Sequence, residues 1–278
     1  MKKLFATLAS LALSAGLAFA QDLAQATEIY NNGATNLNLG DKAAALENFK
    51  SALSMAGALG ADGEDIVNNC KEVIPNIMLS IAKDEIKAEK FEAAIAALKE
   101  VVTVAKEYGA EDTVKDAEEL IPSVFIQQGN ELMKVKNAAG AAAAYKSALE
   151  INPANGNAAL RLGQALNAAG DIEGAIAAYE TAAANGQATA AGKRISTIFL
   201  KKAAASLKEK SFEAAVEEAN KANSYSESAN AYKIAGTAYN SLGNKEEAVK
   251  NLSKYLEMSP NAKDAAQIKA AIEALSKK

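Results

Sequence analysis

The chain has 278 residues, 30 of them basic and 34 acidic, with a formal charge of −4, no histidine, no tryptophan and one cysteine. The absence of imidazole removes histidine-dependent triads and most zinc sites, and the acidic balance argues against nucleic acid as a partner. A single cysteine cannot close an intramolecular disulfide, so stability has to come from packing.

At the start of the chain, Lys2 and Lys3 precede an apolar run from Leu4 that closes on Ala18-Phe19-Ala20. A positive segment, a short apolar stretch and small residues three and one positions before a cut are the marks of a secretory signal peptide. Residues 1–20 are therefore expected to be removed, leaving Gln21 first and a periplasmic or secreted product. Without Lys2 and Lys3 the balance is 28 basic against 34 acidic residues, near −6. The later segments are amphipathic, so no membrane span is expected after cleavage.

From there the chain repeats itself. One copy reads Leu162-Gly163, then Gly170-Asp171, Ala175, Tyr179 and Ala182; another reads Ala235-Gly236, Tyr239, Gly243-Asn244, Ala248, Leu252, Tyr255 and Pro260. Gly163 and Gly236 in a first helix, with Ala175 and Ala248 in a second, let two antiparallel helices approach closely. Tyr179 or Leu252, one turn beyond the alanine, fills the next gap. A Gly-Asp or Gly-Asn pair turns the chain between the helices, and Pro153 or Pro260 stops the second helix from running on.

These residues resemble the tetratricopeptide (TPR) signature over 34 positions. The resemblance implies an all-α, right-handed helical solenoid of about six helix pairs. The pairs are placed at about 26–57, 75–108, 122–153, 156–187, 196–225 and 229–260, and residues 261–278 form a C-terminal capping helix. The second-helix alanines Ala45, Ala94, Ala141, Ala175, Ala215 and Ala248 stand 49, 47, 34, 40 and 33 residues apart. The long first two intervals read as extended helices, split or kinked at Pro75 and Pro122 because an interior proline removes a hydrogen bond. Cys70, among Ile66, Val67 and Val73, is expected to be buried and inert, with an intermolecular disulfide as the alternative.

Chemistry finds little support. Glu118-Glu119, Glu217-Glu218 and Glu246-Glu247 are neighbours on helices and diverge by ~100°, so they do not form catalytic dyads. A calcium loop starting at Asp62 would need glutamate at its twelfth position, which is Val73, so the acids at 62 to 65 read as a helix start that meets the dipole. No catalytic residue, metal or cofactor is expected.

The resemblance implies instead a protein or peptide partner in a concave groove lined by the first helices. The matching positions are Lys83 and Lys87 in the second copy, Asn130 and Lys134 in the third, and Asn157, Gln164 and Asn167 in the fourth. The sixth adds Asn230, Lys233, Thr237 and Asn240. Amides suit an extended backbone, and lysines suit acidic groups. The family's carboxylate-gripping subtype is not matched, because Ile126 and Leu160 stand where it needs lysine. The reading is a non-catalytic scaffold of the cell envelope. A self-associating structural protein and an accessory subunit of an envelope enzyme are the alternatives, and the sequence does not give the oligomeric state.

Overall fold

Two helices can lie close together only where one of them offers no side-chain bulk, and this chain provides the gap at a fixed interval. A Cβ placed on Gly129 would stand 2.6 Å from the Tyr145 ring; on Gly163, 2.5 Å from Tyr179; on Gly236, 2.8 Å from Leu252; and on Gly33, 3.2 Å from Phe49. Each partner lies sixteen positions further along the chain. In the two remaining copies Ala82 with Leu98, and Ala203 with Ala219, hold the same places and are fully buried.

The computed structural model describes the backbone of residues 2–277 and the side chains of residues 20–277; the side chains on which the signal-peptide reading depends lie, up to residue 19, outside the described residues. The described residues form helices α1 (Lys2–Asn38), α2 (Lys42–Gly57), α3 (Glu64–Lys87), α4 (Phe91–Tyr108), α5 (Glu111–Lys134), α6 (Ala138–Ile151) and α7 (Gly156–Ala169). They continue with α8 (Ile172–Ala182), α9 (Ala188–Lys208), α10 (Phe212–Tyr225), α11 (Ala229–Ser241), α12 (Lys245–Met258) and α13 (Ala265–Ser276). This is an all-α fold of six successive helix pairs and a terminal helix. The six marker alanines are all fully buried.

One turn joins the two helices of every pair. Gly40, Gly170 and Gly243 have φ of +84°, +91° and +76°, while Glu89, Lys136 and Lys210 take the same left-handed turn at +57°, +62° and +64°. The residue after each turn glycine then caps the second helix. Asp41 accepts from the Ala44 amide at 3.0 Å, Asp171 from Gly174 at 2.9 Å and Asn244 from Glu247 at 3.3 Å. Such a cap contributes about 1 kcal/mol.

Of the split and kinked forms expected at the prolines, the split one does not occur. Helix α3 runs unbroken through Pro75 and α5 through Pro122, each over 24 residues. An interior proline costs ~3 kcal/mol. Against that, Cys70, Ile74 and Pro75 are fully buried in α3, and Ala117 and Val124 in α5. A buried side chain of isoleucine size contributes about 1.5–3 kcal/mol, so ending either helix at its proline would forfeit more than it saves. The acids expected at a helix start lie in the first turn of α3, as Glu64 and Asp65, while the cap itself is Gly63.

The chain divides into two compact units, Met1–Gln128 and Gly129–Lys278. Unit 1 has one continuous core in which Phe49, Ile74, Leu98, Val101, Ile121 and Val124 meet small residues such as Ala45 and Ala94. Cys70 lies inside it, and burial pushes its thiol up to about 11. Unit 2 has smaller, alanine-rich clusters, one around Ala175, Tyr179 and Ile195 and another around Ala203, Ala219 and Ala235. Helix α9 starts at Ala188, eight residues before the expected start of its repeat, and is 21 residues long. Just beyond the extra turns, Ser196 Oγ donates to the Ser226 carbonyl at 3.0 Å.

Helix α13 buries Ile268 against Leu252 and Tyr255. Asp264, at its start, accepts from the Tyr255 hydroxyl at 2.6 Å and pairs with Lys233, whose ammonium lies 5.5 Å from the Tyr255 ring centroid. Hydrogen bonds from Lys233 and then from Tyr255 hold the Asp264 carboxyl below the usual aspartate range, and the bond to Asp264 raises Lys233. The contribution of Asp264 is therefore present above the unfolded aspartate value of about 3.9 and is lost as pH falls through its lower folded value. That of Lys233 is complete below about 10.4 and is lost as pH rises through its higher folded value.

Two predictions follow from this packing. Gly163→Ala should destabilise the chain by about 1–3 kcal/mol through overpacking against Tyr179. Gly57→Ala, where a Cβ meets nothing within 4 Å, should be neutral or stabilising by up to about 1 kcal/mol. Urea denaturation of the two variants checks the contrast, and equal effects would refute the spacer role. Asp264→Asn should lower amide protection across residues 265–276 while leaving 156–182 unchanged. The wild type should show the same local loss, after correction for intrinsic exchange, only below the ordinary aspartate range.

Candidate partner-binding groove

The two positions expected in unit 1 are occupied by internal ion pairs. Lys83 Nζ is 3.9 Å from Asp116 and Lys87 Nζ is 3.5 Å from Asp84, while Asp84 also binds Lys42. The Lys42 hydrogen bond is the leading reason that the Asp84 carboxyl lies below its usual range.

Unit 2 gathers several of the expected residues in one place. Asn130 and Lys134 from the end of α5 and Gln164 from α7 line an open cavity of about 550 Å³ together with Glu131, Tyr145 and Arg161. The Tyr145 hydroxyl and Arg161 Nη1 both donate to Asn130 Oδ1, each at 2.8 Å. Asn130 is thus an internal bracket whose oxygen is already engaged. Arg161 is held by that bracket, and its Nε is buried without a hydrogen-bond partner. Lys134 pairs with Glu131 on the same helix.

The other expected residues are spread along the unit. Asn157 and Asn167 on α7 and Asn230 and Asn240 on α11 are exposed, with their side-chain amides open to solvent. Thr237 is half-buried and its hydroxyl donates to the Lys233 carbonyl at 2.8 Å. Lys233 itself is committed to Asp264. A second cavity of about 590 Å³ is lined by Gln187, Thr189, Lys193, Arg194 and Thr197 at the start of α9.

Sequence reasoning missed Arg161, Arg194 and Tyr145 as groove residues. A usable signal was present, since the chain has only two arginines among its 30 basic residues and both fall on first helices of consecutive pairs. Among the described residues, no group of three or more His, Cys, Asp or Glu side chains is arranged to hold a metal ion, and no helix is long and apolar enough to cross a membrane.

Comparison with known proteins gives two family matches. Tetratricopeptide repeat models match residues 132–196 and 229–262. No curated protein matches the chain in sequence. Among solved structures, a MamA protein is 21% identical, with 69% of this chain and 94% of that one covered and a TM-score of 0.37. YrrB, described as a TPR protein with an unusual peptide-binding site, is 18% identical over 74% of this chain and 96% of its own, also with a TM-score of 0.37. PilW, described as a type IV pilus biogenesis factor, is 16% identical over 70% and 98%, with a TM-score of 0.35. These three likenesses are too distant to bear on function. By the family matches, the chain carries tetratricopeptide repeats over 132–196 and 229–262.

Proposed function

We infer that the protein is a non-catalytic scaffold that binds a polypeptide segment of a partner along the first helices of unit 2. The observation that carries this reading is the convergence of Asn130, Arg161 and Gln164, from two successive first helices, on one open polar cavity. An extended segment presents backbone N–H and C=O groups that exposed amides such as Asn157 and Asn167 can pair with. The cavity's amides and guanidinium are suited to hydrogen-bonding such a segment. The N-terminal pattern of Lys2, Lys3 and Ala18-Phe19-Ala20 supports a location in the cell envelope or outside the cell.

Photo-crosslinking residues introduced at Asn157 and Asn167 should capture one defined partner in intact cells. The same residues at Lys146 and Glu150, on the second helix α6, should not. Capture from α6 alone would overturn the groove assignment. For the location, N-terminal sequencing of the exported product should begin at Gln21; an intact Met1 on a cytoplasmic chain would overturn it.

A further inference from the structure

We propose that unit 2 recognises an extended acidic segment by two carboxylates, one held by Arg161 and the other by Arg194. The proposal rests on the groove reading above and adds the chemistry of the partner. Its starting point is a repeated arrangement. Asn130, Tyr145 and Arg161 recur as Gln164, Tyr179 and Arg194, at intervals of 34, 34 and 33 residues. In both copies the tyrosine ring fills the space left by a glycine, Gly129 or Gly163. In the first copy the phenol and the guanidinium meet on the amide oxygen of Asn130. In the second, burial pushes the Tyr179 phenol up, and the nearby Arg194 charge partly offsets this.

Neither arginine has a carboxylate within ion-pair distance among the described residues, whereas neighbouring lysines do: Lys202 with Glu173, and Lys221 with Glu217. Arg161 keeps a buried Nε without a partner, and both side chains open into cavities, where Lys193 stands beside Arg194. A planar guanidinium grips a carboxylate through two parallel hydrogen bonds, which lysine cannot do.

The charge distribution supports the same partner. Unit 1 carries 11 basic and 19 acidic residues, a balance of −8, and unit 2 carries 19 basic and 15 acidic, a balance of +4. An acidic chain is therefore drawn to unit 2 of an otherwise acidic protein. One arginine per step, beside an amide and a phenol, matches single carboxylates better than phosphate groups, which are met by arginine clusters.

The test is fluorescence anisotropy on the full chain, using labelled Gly/Ala peptides with two glutamates at stepped separations and the matching diglutamine peptides. An extended chain advances ~3.3 Å per residue with side chains alternating in direction, so affinity should peak at one separation and fall when it shifts by one residue. At the peak the diglutamate peptide should bind at least about tenfold tighter than its diglutamine partner, in line with charge-assisted hydrogen bonds. Arg161→Gln and Arg194→Gln should each remove most of that margin, and Arg194→Lys should not restore it. Arg194 is exposed, so its variants test the idea without disturbing the Asn130 bracket. Affinity that follows net charge regardless of spacing, or that ignores both arginine substitutions, overturns the proposal. Equal binding of diglutamine peptides also overturns it while leaving the groove reading intact; if no peptide binds, the groove reading falls as well.

Discussion

The structure depends on one contact repeated along the chain, a residue without bulk on a first helix facing a side chain sixteen positions later on the second that is large in five of the six copies. Where the pair is Gly129 with Tyr145, or Gly163 with Tyr179, the ring is almost wholly buried, at 2% exposure. Tyrosine does more here than fill space. Its hydroxyl projects beyond the packed layer and, in the first copy, reaches Asn130, the residue immediately after the glycine. The contact that sets how closely the helices approach therefore also delivers a hydroxyl to the groove. Leucine at the equivalent place, as in Leu252, packs the helices but contributes nothing polar.

The two units solve their charge problem differently. In unit 1, several lysines are matched by carboxylates nearby: Lys42 with Asp84, Lys83 with Asp116, Lys90 with Glu85 and Lys106 with Glu118. Pairs of this exposed kind add little stability. In unit 2 both arginines lack such a match among the described residues. An unsatisfied buried donor costs roughly 1–3 kcal/mol, so Arg161 Nε is a cost that folding carries without return from within the chain.

Much of the fold was legible because helix-pair packing is written in residue size. Ala45, Ala94, Ala141, Ala175, Ala215 and Ala248 marked the second helices, and each is fully buried. The turns were legible only at Gly40, Gly170 and Gly243. Glu89, Lys136 and Lys210 adopt the same left-handed geometry with side chains that carry no local signal for it, because flanking helices impose the conformation against an intrinsic cost of about 1 kcal/mol. Pro75 and Pro122 suggested a split or a kink for a related reason. Proline's helix-breaking tendency is local, whereas the burial of Ile74 and Val124 that keeps the helices whole depends on neighbours far along the chain. The groove was half legible. Amide positions on the first helices could be counted, but whether Asn130 faces solvent or is bound by Tyr145 and Arg161 depends on side chains from two other helices.

The Asn130 bracket shows why binding and cohesion are hard to separate in such a fold. A stack of repeats is stabilised by each unit's own packing plus the contact with its neighbour. Asn130 on α5 takes one hydrogen bond from Tyr145 on α6 and another from Arg161 on α7, so it joins one pair to the next at the point where the groove is formed. A ligand that draws on Arg161 therefore pulls on the junction as well. Nη1 is held by Asn130 and Nε is buried without a partner, so the junction and any contact made by Arg161 share one guanidinium.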